Sequence, residues 1–233
     1  MRPPNGARAR ARAVVAALGL AALAGLAPAG SVAPAAAAAP LPVVLVHGFN
    51  GSPASFVTMA ARLRERKHTV VIVKLPGNDN LVNAKVIRDV VAARGWSRVA
   101  IVGHSMGGLS SRQYVRFDGG RKVTAVYVSL GTPQRGLPVA CFLAPSNGGQ
   151  MCPDSAFLTK LNAGDETPGA TKWTSVYSTT DGLVPTSASR LVDGACDVKV
   201  TGPDHGQVLT DPAVFRVVLG AIDGKPCPGA FVK

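Results

Sequence analysis

Aromatic side chains are scarce in this sequence, only 5% of its 233 residues. That is too few to interleave with basic residues as base-stacking platforms, so no nucleic-acid partner is expected. Acidic residues are scarce too: 13 Asp and Glu face 25 Lys and Arg, leaving a net charge of +12. The four cysteines include no C-x-x-C pair, which excludes zinc-finger spacing, and they are too few for a disulfide-dominated miniprotein. Charged residues total 16% against 47% apolar, so the chain is not a disordered one and must bury a core. Glycine (26) and proline (18) are plentiful but aperiodic, which removes collagen-like and repeat architectures. One domain of ordinary size fits that length.

The N-terminus stands apart from the rest. Arg2, Arg8, Arg10 and Arg12 precede an apolar run, 13–27, whose 15 residues are short for a bilayer span. A small, Ala-rich stretch with A-x-A sites near Ala37–Ala39 follows. This pattern predicts a secretory signal peptide over residues 1–39, with no membrane segment after processing. No adjacent arginine pair occurs there, which favours the general secretion route over the twin-arginine one. Processing removes four arginines and no acid, so the charge falls to +8, enough for solubility and weak attraction to anionic interfaces. Export places the cysteines in an oxidising compartment. Loop closure there favours the short pairings Cys141–Cys152 and Cys196–Cys227. A secreted, extracellular monomer is the expectation.

The mature chain alternates strand and helix patterns. Apolar, β-branched runs occupy 43–46, 70–73, 99–102 and 123–128, with weaker ones at 173–177 and 198–200. The first three are continuous rather than alternating, the signature of strands buried on both faces. Ser52-Pro53 caps a helix with Phe56, Ala60 and Leu63 on one side. Leu81, Ala84, Ile87 and Val91 stripe a second, and Asp211-Pro212 opens a last one carrying Phe215, Val218, Leu219 and Ile222. Strands alternating with helices predict an α/β fold, a mostly parallel sheet of about six strands flanked by helices. The interval 133–172, rich in Pro and Gly with a short helix at 154–162, breaks the rhythm and reads as an insertion walling a site.

Chemistry-bearing residues gather where strands end. Gly103-His104-Ser105-Met106-Gly107 lies between a strand and a helix carrying Leu109 and Val115. A serine in such a sharp turn needs glycines two positions to either side, or the strand and helix backbones collide. The turn exposes Oγ and aims the helix N-terminus at developing negative charge. Serine needs a base to become nucleophilic. His205, in a loop beyond the last strand, is that candidate; His104 should point away from Oγ, His47 sits in the first turn, and His68 in a polar helix tail. The base needs a carboxylate to hold its tautomer. Asp181 follows the 173–177 strand at the same sheet edge, whereas Asp204 adjoins His205 and is badly placed, and Asp193 and Asp197 lie at the opposite end. The order Ser, Asp, His is that of an α/β-hydrolase. The amides of Phe49 and Met106 are the candidate oxyanion donors.

Taken together, VHGFNG, GHSMGG, LGTPQRG, TDGLVP and PDHG resemble the small secreted bacterial lipases and esterases of the α/β-hydrolase superfamily, over 42–222. Residue by residue, the resemblance puts Ser105, Asp181 and His205 in the triad and Phe49 and Met106 at the oxyanion hole. It implies cleavage of lipid or other carboxylic esters, at a lipid–water interface where the substrate is insoluble, and no large helical lid. The 133–172 insertion departs from a minimal hydrolase. No cofactor or metal is required, and Phe49, Phe142, Leu143 and Phe157 are expected on the acyl side. The same machinery would serve an acyltransferase, and the fold alone would serve a non-catalytic binding module.

Overall fold

The computed structural model describes residues 39–229, so the expected signal peptide falls, all but Ala39, outside the described residues. Six strands form one parallel sheet: β1 (Val43–Val46), β2 (Val70–Val73), β3 (Val99–His104), β4 (Thr124–Leu130), β5 (Lys172–Ser178) and β6 (Cys196–Val200). Their order is β2-β1-β3-β4-β5-β6. The chain steps outward from β1 to β2, then returns to β1's other side, where Val43 is in register with Ala100 of β3. That reversal sets the loops leaving β1 and β3 side by side at the carboxyl ends of the strands, the end where open α/β sheets bind their ligands.

Helices α1 (Val57–Glu65), α2 (Asn80–Ala92), α3 (Met106–Phe117), α4 (Ala156–Leu161), α5 (Thr186–Ser189) and α6 (Pro212–Ile222) complete the order. Alternate residues of β1 serve two cores. Val44 and Val46 join Ile87, Val91, Leu109 and Val115 from α2 and α3. Val43 and Leu45 join Phe56, Leu63, Val214 and Val218, from the α1 and α6 side. Because each strand residue meets a helix layer, β1 and the first four residues of β3 are apolar without interruption.

Three expectations need correction. β2 is the sheet edge and only Val73 is fully buried; Val71 packs on one core and Val70 and Ile72 on the other, so both faces are covered, but only in part. Leu81 is 43% exposed. Asp79 caps α2 by accepting from the amides of Leu81 and Val82, and the buried face becomes Asn80, Asn83, Ala84, Ile87 and Val91. Ser52 makes no side-chain cap; a 3-10 turn, Pro53–Phe56, precedes α1.

Between β4 and β5 the chain runs through short 3-10 turns and α4, which Ser155 caps. Both disulfides pair as loop closure favours, Cys141–Cys152 and Cys196–Cys227. A second tie is electrostatic. Arg112 of α3 is fully buried, 3.4 Å from Glu166, and donates to Gln134 and Asn162 of the insertion. Burial pushes its guanidinium down to about 10, which still leaves it charged at neutral pH. Arg135 adds a second cation on Glu166 at 2.7 Å. Removing one partner of such a network strands a buried charge.

Asp211 accepts from the amides of Ala213 and Val214 at 2.8 and 2.9 Å, holding the first turn of α6. Asp211→Ala is expected to cost about 1 kcal/mol. Thermal unfolding would register this as a Tm about 2–4 °C lower.

Candidate active site

β3 ends at His104 and α3 begins at Met106, leaving Ser105 alone in the turn at φ 53°, ψ −129°. Positive φ strains a residue with a Cβ, and the packing around it enforces the strain. A Cβ on Gly107 would collide with the carbonyl oxygens of Val46 and His47 in the β1 layer. One on Gly103 would lie 2.6 Å from the Gly108 Cα, and one on Gly108 would strike Thr132. Helix α3 can therefore start against β1 only because these positions are bare. The loop after β1 is equally close: a Cβ on Gly48 would lie 2.8 Å from Cβ of Ser105. That brings the Phe49 segment beside the serine and beside the first residue of the helix, Met106.

Asp181 and His205 meet where β5 and β6 end. Nδ1 of His205 lies 3.0 and 2.9 Å from the two carboxylate oxygens of Asp181, and its backbone amide donates to the Asp181 carbonyl at 2.9 Å. Amides of Leu183 and Val184 also donate to Asp181 Oδ1. Burial alone would raise this carboxyl's pKa, but the hydrogen bonds from His205, Val184 and Leu183 outweigh it and hold the group below its usual range. An ionised Asp181 requires the proton on Nδ1, which leaves the Nε2 lone pair to accept. Gly131, just after β4 at φ 52°, gives the pair room; a Cβ there would sit 2.9 Å from Asp181 Oδ2.

His104 does more than point away from the serine. Its Nε2 donates to the backbone carbonyl of His205 at 2.8 Å, and the two rings lie 4.7 Å apart. Burial, reinforced by neighbouring His205, pushes its pKa down to about 4, so it stays a neutral donor. The residue preceding Ser105 thus holds the loop that carries His205. No spacing in the sequence signals this, because the partner is 101 residues away. Asn78 is likewise unforeseen: it accepts from the Asn50 amide and donates to the side chains of Asn50 and Asn147. It clamps the loop beside Phe49, where Asn50 takes φ 49°.

The remaining candidates sort themselves by their bonds. Asp204 caps its own turn at Gly206 and Gln207. Asp193 accepts from the Glu166 amide, and Asp197 from Arg190. His47 accepts from the Leu75 amide, and burial lowers its pKa. His68 is buried against the Leu41 carbonyl rather than in a polar tail. Phe49 and Leu143 come together across Gly148, where a Cβ would lie 2.5 Å from Phe49 Cε2 and 3.1 Å from Leu143 Cδ1. Phe142 and Phe157 do not join them. A 3-10 turn, Pro138–Phe142, buries Ala140 and leaves Phe142 90% exposed, whereas α4 turns Phe157 into the core with Leu158 and Leu161.

A parallel sheet, a strained serine between strand and helix, and a carboxylate–imidazole pair at the same edge define a hydrolase-type α/β architecture. The sequence profile of the Alpha/beta hydrolase family matches residues 43–228, and the chain belongs to that family. Curated relatives include a triacylglycerol lipase of Pseudarthrobacter phenanthrenivorans, 34% identical over 116 residues. Another, of Burkholderia plantarii, is 35% identical over 116 residues. These matches cover 44% of this chain but only 36% and 32% of those proteins. Among solved structures, the mature lipase BlEst2 of Bacillus licheniformis superposes with a TM-score of 0.69 at 19% identity, covering 79% of this chain and 92% of that one. Aspergillus fumigatus lipase B superposes at 0.64 with 19% identity, covering 79% and 52%.

His104 titrates near 4 in the fold against 6.5 in the unfolded chain, so the unfolded chain takes up a proton first as pH falls. Stability is therefore lost between these values, by about 3 kcal/mol at most. Asp181, with its carboxyl depressed, adds loss in the same direction at lower pH. His104→Gln keeps a donor for the His205 carbonyl but does not titrate. Denaturant midpoints measured from pH 7 to pH 4 should fall less steeply in this variant than in the parent; parallel curves would refute the assignment.

Proposed function

We propose that the chain is a secreted serine hydrolase that cleaves carboxylic esters through Ser105, His205 and Asp181. One observation carries the reading: the Asp181–His205 pair is fastened to His104, the residue preceding a strained serine. In the first half-reaction, Ser105 Oγ attacks the ester carbonyl carbon and its proton passes to Nε2 of His205. Asp181 stabilises the imidazolium that forms. The negative oxygen of the tetrahedral intermediate accepts from the amides of Met106 and Phe49, with the N-terminus of α3 behind it. Collapse expels the alcohol, which takes the proton back from His205. Water then attacks the acyl-enzyme and gives its proton to His205, which passes it to Ser105 Oγ as the acid leaves.

Phe49 and Leu143, brought together over Gly148, would contact the acyl chain. Ester substrates, and triacylglycerols among them, are supported by what the two bacterial relatives are named, not by the fold likeness. Two disulfides suit the oxidising medium that export would provide. Among the described residues no helix is long and apolar enough to cross a membrane.

The test is a panel of p-nitrophenyl esters of increasing acyl length beside emulsified triglyceride. Ser105→Ala should lower kcat/KM at least about a thousandfold on every ester the parent cleaves, with an unchanged circular-dichroism spectrum. Near-normal turnover in that variant would exclude the mechanism.

A further inference from the structure

The most exposed apolar side chain noted above is also one of the most firmly mounted. Phe142 ends the 3-10 turn Pro138–Phe142, and a 3-10 turn repeats every three residues, so Val139 stands directly in line with it. Val139 is 62% exposed, and Leu143, next in sequence, 37%. Beneath this face the backbone is fixed. Cys141 is bridged to Cys152, the Leu137 amide donates to the Met151 carbonyl at 2.7 Å, and Ala140 is buried. Gln150 accepts from the Asn80 amide at 2.6 Å and donates to Asp79, tying the same segment to the start of α2. Holding large apolar groups rigidly in water contributes nothing to folding, and such patches mark sites of association.

Two features select the occupant. Residues 138–152 contain no Lys, Arg, Asp or Glu, so no charge within the segment has to be stripped of water on entering an apolar layer. The patch is also continuous with the candidate acyl side, because Leu143 meets Phe49 over Gly148. We infer that the stapled 138–152 segment is a fixed docking element for a lipid surface, with Phe142 and Val139 inserted among the acyl chains and Leu143 leading toward Ser105. This rests on the ester-hydrolase reading for its purpose, though not for its measurement. A rigid apolar tip loses little side-chain or backbone freedom on insertion, which favours partitioning.

The experiment reads binding without turnover. The full chain carrying Ser105→Ala is mixed with sonicated phosphatidylcholine vesicles, with and without phosphatidylglycerol, and sedimented. Adding Phe142→Ser should lower the partition coefficient about tenfold or more, and Val139→Ser should lower it further. Phe117→Ser, at a 40% exposed site on α3, should leave it unchanged. Equal partitioning of the Phe142→Ser variant and its parent would overturn the proposal. So would a loss confined to a self-associated species in analytical ultracentrifugation, which would make a second copy of the chain the occupant. If Ser105→Ala retains full esterase activity while Phe142→Ser still loses vesicle binding, the catalytic reading fails and the docking surface stands.

Discussion

Everything at the site depends on how closely α3 approaches the sheet. Ser105 is held at a positive φ because the strand before it and the helix after it are both immovable, each packed on both sides. The approach itself depends on missing Cβ atoms at 103, 107 and 108. The strain is thus sustained by the whole two-layer core, not by the turn. The same closeness places the β1 loop against the serine and the first amides of the helix beside it, so the proposed nucleophile and the proposed anion donors come from a single packing event.

From that turn the remaining parts are positioned by short bonds. His104 reaches the backbone of His205, and His205 donates to Asp181 from both its side chain and its main chain. Two loops that follow adjacent strands are joined as one unit, which in turn is attached to the elbow. On the opposite flank, Asn78 connects the β1 loop to the insertion through Asn50 and Asn147. The site is therefore framed by polar contacts between loops, carried on an apolar sheet.

Much of this was legible in the amino-acid order, and for identifiable reasons. Four of the six strands are local apolar runs and β5 and β6 are weaker, mixed ones, while Ser105, Asp181 and His205 each sit in a short segment with turn residues just past a strand. Asp211 and Pro212 announced α6 because capping acts over three residues. What escaped was non-local or depended on which side of an element faced inward. Leu81 turned outward once Asp79 set the start of α2. β2 became an edge through sheet order, which its composition does not encode. Phe142 and Phe157 exchanged solvent and core for the expected acyl groove, since the facing of a 3-10 turn and a six-residue helix follows from their mounting. His104 and Asn78 acquired roles through partners far along the chain.

Arg112 carries one more implication. It belongs to the helix that begins at Ser105, and its carboxylate and amide partners belong to the segment between β4 and β5. Swinging that segment outward would break the Arg112 contacts to Glu166, Gln134 and Asn162 together, which parting two greasy surfaces would not require. That flank of the sheet is accordingly masonry rather than a door. Under the proposed function, selectivity there becomes a matter of shape at rest instead of timing.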